Sequence, residues 1–396
     1  MSQPVRKQIL EKHPDANEET FVTVLVDGGS LLRQCFKDSR VNTNGIHYGG
    51  VFQFLLQLRE LLKKISTRIE YVYVFFDAHD SGILRYQIYP EYKANRDKDY
   101  AEHSNLSDYM KEYNAYLAQM QNHIYKKKEK PVKELTPAEK VVKENFDRER
   151  DLLCKYFNEL YIRWMIDEKT EGDDLISYYV HHKLPNEKVV IMSADEDLTQ
   201  LISETVCVYN NIKKKFFSTQ NFKRLKGFPH ENVVLRKIFL GDSSDNIGNI
   251  KGVSETRLLE MMPEIADRPV TVDEVRERAR QLCEERVQQK KKPLQWQQNI
   301  VDGVANKIYN GDFYDINNRL INLDSPLLTE EAEKEISEMM HNVQDPEGRT
   351  FENLYSYMLE DGIDELSDSD RFSFFFEPYK PLIDKEVKRF KKEMSK

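Results

Sequence analysis

Cysteine is scarce: Cys35, Cys154, Cys207 and Cys283 are the four in 396 residues, with no Cys-x-x-Cys pair. That spacing argues against a disulfide framework and against a cysteine zinc site, and it suits a reducing cytoplasm. Long apolar runs are missing too. No stretch approaches the roughly 18 apolar residues of a membrane helix. The first residues, MSQPVRKQILEKHPDANEET, lack the apolar core of a signal peptide. Cytoplasmic residence without membrane contact is the expectation. Internal repeats and low-complexity linkers are absent as well. The sequence is instead rich in charge, 32% against 39% hydrophobic, the composition of a globular chain.

A net charge of −9 argues against a nucleic-acid partner until its distribution is considered. Residues 327–370 hold fourteen acidic and two basic side chains, a balance of −12 that leaves +3 for the rest of the chain. Residues 211–237 hold eight basic residues, Lys213, Lys214 and Lys215 among them, and one acid, Glu231. The negative charge is segregated, so a basic face is available to a polyanion.

Short β-branched and aromatic runs alternate with helical stretches, the pattern of a largely parallel sheet flanked by helices. Strands are predicted at 21–27, 71–77, 188–195 and 206–210, with a weaker one at 161–165. Asp27, Asp77 and Asp195 close three of them. A single strand-terminal aspartate is ordinarily a helix N-cap. Three delivered to the carboxyl edge of one sheet, where such folds keep their sites, suggest chemistry. The stretch 80–160 has no strand character, and an insertion of that size usually covers a site. Beyond residue 230 the chain reads as helical, with breaks at 241–252 and 310–326.

More carboxylates join these three: Glu171, Asp173 and Asp174 at the start of a helix, Asp197 beside Asp195, and Asp242 and Asp245 in a Gly-containing turn. Each has a bland reading, as helix-dipole partner or turn former. Nine at one sheet edge would repel one another strongly unless cations neutralised them. Hard oxygen donors suit magnesium, with manganese as a substitute, and no His or Cys cluster favours a softer metal. A pair of such ions is the usual machinery for phosphodiester hydrolysis.

The motifs VDGGS (26–30), FFDAHDS (75–81), LRYQIYPEYKANR (84–96), EGDDLI (171–176), SADEDL (193–198) and GDSSDNI (241–247) stand in the order of a known family. Over about residues 21–325 the chain resembles the 5′ nuclease, or flap endonuclease, family, and it is most similar to the bacteriophage branch, some of whose members are known as RNase H for removing RNA primers. The resemblance implies a PIN-like α/β domain with a helical arch insertion and a helical C-terminal region containing a helix–turn–helix. It implies structure-selective 5′→3′ exonuclease and flap endonuclease activity with two magnesium ions, acting on DNA with a 5′ flap, nick or RNA primer. A viral source would place it in the host cytoplasm.

By the same resemblance, Asp77, Glu171, Asp173 and Asp195 bind the tighter metal, and Asp197, Asp242 and Asp245 the second. Asp27 and Asp174 act through water or from behind the ligands. Lys93 and Arg96 steer and polarise the scissile phosphate, with Asp77 and Asp195 as the other catalytic residues. Arg85 contacts phosphate and Tyr92 stacks on a base. Lys213, Lys214 and Lys215 hold duplex backbone. The helix–turn–helix at 247–262 grips it through Gly252 and Ser254, around a potassium ion. Two departures stand out. Ser254 occupies the place of a usual second glycine, and Gln34, with Arg33 beside it, stands where the family often has arginine.

The expected division is an extension over 1–20, a nuclease domain over 21–230 with its arch at about 80–160, a duplex-binding region over 231–326 and an acidic helical extension over 327–396. The chain is expected to act as a monomer. The aromatic run at 371–382 suits a packed helical cap, or less well a peptide docking a sliding clamp or single-strand-binding protein. Two other functions are weighed: a non-catalytic branched-DNA binder on this fold, and a PIN-type RNase.

Overall fold

The computed structural model describes residues 20–65, 69–78, 81–94 and 137–395. Arg96 and most of the arch stretch lie outside the described residues. The chain divides into two compact units. One comprises Met1–Ser81, Val141–Thr219 and Pro326–Lys396, and the other Gly82–Lys140 and Gln220–Ser325.

Among the described residues the first unit is built on six strands: β1 (Phe21–Asp27), β2 (Ile69–Asp77), β3 (Arg163–Asp167), β4 (Glu187–Met192), β5 (Val206–Asn210) and β6 (Lys215–Phe217). Their order is β3-β2-β1-β4-β5-β6. All neighbours are parallel except β5 and β6. Val24, Leu25 and Val26 of the central β1 are completely buried, as expected for a strand covered on both faces. The helix Gly49–Ile65 buries Val51, Phe54, Leu55, Leu58, Leu61 and Leu62, a helical-period stripe, in the core beside β1 and β2. Gly28 follows β1 directly because a Cβ there would lie 2.7–2.8 Å from Val74 and Phe76. That close approach lets the helix Gly28–Cys35 begin where the strand ends.

The structure moves some predicted boundaries. β3 spans 163–167 rather than 161–165, and β4 stops at Met192, leaving Asp195 in the following loop. β6 lies inside the basic run and was not anticipated: three residues starting with lysine give no period-2 signal. A helix, Phe313–Ile321, occupies part of the predicted break at 310–326.

Residues after Pro326 pack into the first unit. Phe372, Phe375, Phe376 and Tyr379 join the core around Phe54, and the Tyr379 hydroxyl donates to Leu55 O at 2.6 Å. The aromatic run is therefore a cap, and these four rings do not present a docking surface; Phe374 is the exposed member, over the Arg59 guanidinium. Two buried polar contacts fasten the cap. Arg163 donates to Glu386 at 2.8 Å, and His341 meets Glu187 at 2.9 Å, with Tyr179 donating to the same carboxylate at 2.7 Å. Burial raises the Glu187 pKa, but His341 and the hydroxyl donors outweigh it and hold the carboxyl below its usual range.

The second unit is helical. Leu235, Ile238 and Phe239 of the helix Asn232–Leu240 share a core with Val253, Leu258, Val275, Ile300, Phe313 and Ile316. No described helix of either unit is long and apolar enough to cross a membrane.

Candidate active site

In a parallel sheet the strand carboxyl ends share one edge, and β1, β2 and β4 run parallel. Asp27 closes β1. Its Oδ1 accepts from the Ser30 N–H at 2.9 Å and its Oδ2 from the Ser193 hydroxyl at 2.7 Å. Asp77 closes β2. Its Oδ1 accepts from the Gly172 N–H at 2.8 Å, at the start of the helix Gly172–His182, and its Oδ2 takes the Arg33 guanidinium at 3.0 Å. Val26 pairs with Met192 across β1 and β4, which brings Ser193 beside Asp27. Ser193 Oγ in turn accepts from the Asp195 N–H at 2.9 Å, and Asp195 Oδ1 accepts from the Asp197 N–H at 2.9 Å. Glu171 is the buried N-cap residue of the helix carrying Asp173 and Asp174. Asp174 is buried as well and accepts from the Leu327 N–H at 2.9 Å, so it also fastens the start of the cap.

Electrostatics tie these groups together. Burial first, then the charges of Asp27, Asp195, Asp77 and Glu171, push the Asp173 carboxyl well above its usual range. Burial and the Asp77 charge raise Asp27 to about 6. Carboxylates held together against their own repulsion fit a divalent cation, and the donors are all hard oxygens. Among the described residues no three such side chains are already set around one ion position. N–H donors, the Ser193 hydroxyl and Arg33 hold several of the oxygens, so a cation would have to displace some of these contacts.

A pH dependence follows. An acid at about 6 in the folded state and 3.8 otherwise keeps a proton on folding that the unfolded chain releases. Its contribution to stability therefore falls as pH rises from about 4 to about 6, by on the order of 3 kcal/mol. In EDTA, Asp27→Asn should be increasingly more stable than the parent across that window, read as the difference in urea midpoint. A difference that does not grow with pH contradicts the raised pKa of Asp27 that burial and the Asp77 charge produce.

Asp242 and Asp245 belong to the second unit. Burial raises the Asp242 pKa, but the Lys237 ammonium at 2.6 Å and the Ser244 donors outweigh it and hold the carboxyl at about 2. Lys93 is anchored to the same turn: its N–H donates to Asp245 O at 2.8 Å, its backbone is left-handed (φ 53°), and its ammonium lies 4.8 Å from the Tyr92 ring centroid. Two expectations need correction. Tyr92 is 2% exposed and its hydroxyl donates to Asp245 at 3.2 Å, so its ring offers no face for stacking. Arg85 is 5% exposed with Nε on Leu320 O at 3.1 Å, so it serves the unit's interior and not a phosphate. Both follow from the helix Ile83–Ile88 and the turn after it packing inward.

The basic run is divided between the units. Lys213, Lys214 and Lys215 are exposed at the β5–β6 hairpin, with Lys213 paired to Glu196 at 3.0 Å. Lys223 through Lys237 lie in the second unit. Gly252 has φ 82°, which its missing Cβ permits, and the Ser254 hydroxyl caps the helix Glu255–Met261 by accepting from the Arg257 N–H at 3.3 Å.

The carbonyls around Gly252, where a potassium ion is expected, each already accept a hydrogen bond. Gly252 O accepts from Arg257 Nη1 at 2.6 Å and Asn246 O from Lys307 Nζ at 2.6 Å. Gly248, Lys251 and Val253 O take side-chain amides at 2.7–3.1 Å. Those of Ile247, Asn249, Ile250 and Ser254 take backbone N–H groups at 2.9–3.1 Å.

Three contributors were missed in the sequence. Ser193 sits inside SADEDL, but its bridge between Asp27 and Asp195 exists only through the β1–β4 register. Arg33 reaches Asp77, while the side chain of Gln34 is held by Ser30 and Asn211. Lys237, counted within a basic run, is the partner of Asp242.

Residues 22–227 match the model of the 5′-3′ exonuclease N-terminal, resolvase-like domain. The chain is 26% identical to DNA polymerase I of Bacillus subtilis over 262 residues, 64% of this chain and 24% of that one. It is 28% identical to a 5′-3′ exonuclease of Mycoplasma pneumoniae over 251 residues, 60% of this chain and 70% of that one. It therefore spans about a quarter of the length of the polymerases it matches. A solved structure of T5 5′-exonuclease with divalent metal ions (zinc) bound aligns over 92% of this chain and 99% of that one, at 17% identity and a TM-score of 0.52. At that identity the likeness is one of fold, the PIN-like 5′ nuclease fold.

Proposed function

Because the chain belongs to the 5′-3′ exonuclease family, we propose that it is a magnesium-dependent 5′ nuclease that removes RNA primers or 5′ flaps during DNA replication. The observation that carries this reading is geometric: Asp27 and Asp77 close neighbouring parallel strands at one sheet edge, Ser193 ties Asp27 to Asp195, and Asp77 accepts from the Gly172 N–H at the start of the helix bearing Asp173. Asp77, Glu171, Asp173 and Asp195 are the proposed holders of one ion, and Asp197, Asp242 and Asp245 of a second. The zinc-bound T5 relative supports divalent-metal dependence, and manganese is the expected substitute. When bound, such ions supply Lewis acidity for activating water and for stabilising the leaving oxygen.

The chain's own residues do the rest. Ser193 holds Asp27 and the backbone of Asp195 in a fixed relation. Arg33 shields Asp77 from the like charges around it and can yield that oxygen to a cation. Lys93 and Arg96 are proposed to meet the scissile phosphate. Lys213, Lys214, Lys215 and the loop at Gly252 and Ser254, in the proposed helix–turn–helix, contact backbone phosphates without reading bases.

Matched 5′-flap substrates with DNA and RNA flaps test this reading. Cleavage of both is expected in magnesium, with affinity falling steeply as salt rises. Cutting of RNA alone would assign the chain to RNA processing, and a salt-independent affinity would remove the basic contacts from the account.

A further inference from the structure

The loop between the helices Asn232–Leu240 and Glu255–Met261 has two cationic side chains turned onto its own backbone. Arg257 Nη1 donates to Gly252 O and Lys307 Nζ to Asn246 O, each at 2.6 Å, and Lys307 also meets Asn246 Oδ1. The other carbonyls from 247 to 254 are met by neutral donors. A carbonyl oxygen keeps a second lone pair, so hydrogen bonding alone leaves room for an ion. Charge does not: an ion on either of those two oxygens would lie within a few ångströms of a fixed positive group.

Arg257 is also built to meet something outside the protein. Its backbone N–H is fixed by the Ser254 hydroxyl, and its guanidinium lies 5.9 Å from the Trp296 ring centroid. The side chain is exposed. A guanidinium has five N–H donors in a planar fork suited to phosphate oxygens.

We infer that Arg257 and Lys307 are the resident cations of this loop, so that it holds nucleic-acid phosphates without a bound potassium ion. Arg257 both closes the loop and faces the phosphate, and Lys307 neutralises the carbonyl end at Asn246. The inference rests on the proposal that this loop grips duplex backbone.

The test is affinity for a 5′-flap duplex in EDTA, measured by fluorescence anisotropy in potassium, sodium and tetramethylammonium chloride at one ionic strength. The unaltered protein is expected to bind equally in all three salts. Arg257→Gln and Lys307→Gln are each expected to weaken binding about fivefold in every salt, the first by loss of a backbone-phosphate cation and the second by loss of the charge that neutralises the Asn246 end of the loop. Tighter binding in potassium than in the other two salts would overturn the inference while leaving the duplex-gripping reading in place. Folded variants, checked by thermal midpoint, that bind as tightly as the parent would also overturn it. Absence of duplex binding in any salt would overturn the underlying reading and the inference with it. The salt comparison needs no variant, so it decides the matter even if a substitution prevents folding.

Discussion

Asp195→Ala is expected to give a folded protein that binds flap DNA as the parent does and cuts it at least about 10³-fold more slowly, a loss of about 4 kcal/mol in transition-state stabilisation. Folding survives because the lost interactions are modest. Asp195 Oδ1 accepts from the Asp197 N–H at the end of a loop, and the Asp195 N–H stays on Ser193. Removing one charge also relieves the carboxylates that push Asp173 upward. Binding survives because an acidic group does not attract a phosphate; in EDTA the variant should bind slightly tighter. Asp77→Ala should abolish cleavage as fully, but with a cost of about 1 kcal/mol in stability from the lost cap on Gly172. Single-turnover cleavage, urea midpoints and flap affinity measured side by side separate these effects. Parental activity in either folded variant would remove the metal assignment.

The second large effect concerns Lys93. Its left-handed backbone and its N–H bond to Asp245 O fix where the ammonium starts, and the Tyr92 ring lies against it. A group held this way is suited to stabilising charge that develops in the transition state. Lys93→Ala is expected to slow single-turnover cleavage by about 10²- to 10³-fold, the range seen when one preorganised donor is lost. Affinity for the flap should change far less. Equal losses in rate at saturating and at limiting enzyme would show this split, whereas a defect cured by saturation would make Lys93 a phosphate contact only.

Much of the candidate site was legible because strand endings are. Runs such as FVTVLVD and YVYVFFD announce both the element and the carboxylate at its carboxyl end, and a parallel sheet carries those ends to one edge. Harder to see were features set by pairing between distant segments. Ser193 becomes the link between Asp27 and Asp195 only through the Val26–Met192 register. Arg33 reaches Asp77 only because its helix starts directly after β1. Tyr92 and Arg85 lie in a motif rich in ring and charge, LRYQIYPEYKANR, that looks like a binding surface. Tertiary packing turned both inward, and no local periodicity records that choice. The acidic tail is similar: its composition indicates solvent exposure, yet Phe372, Phe375, Phe376, Tyr379 and Glu386 are buried in the sheet-bearing unit. Asp242, placed by its motif among the metal ligands, takes Lys237 as a close partner that a count of basic residues could not single out.

The central claim is that the carboxylate edge makes this chain a metal-dependent nuclease for branched DNA. Incubating an end-labelled 5′-flap duplex with the protein in magnesium and, in parallel, in EDTA tests it most directly, with the cut position read at nucleotide resolution. The account predicts cleavage near the branch in magnesium and none in EDTA. Tight binding to the flap with no cut in magnesium or in manganese would contradict it and make the chain a structure-binding protein on a nuclease fold.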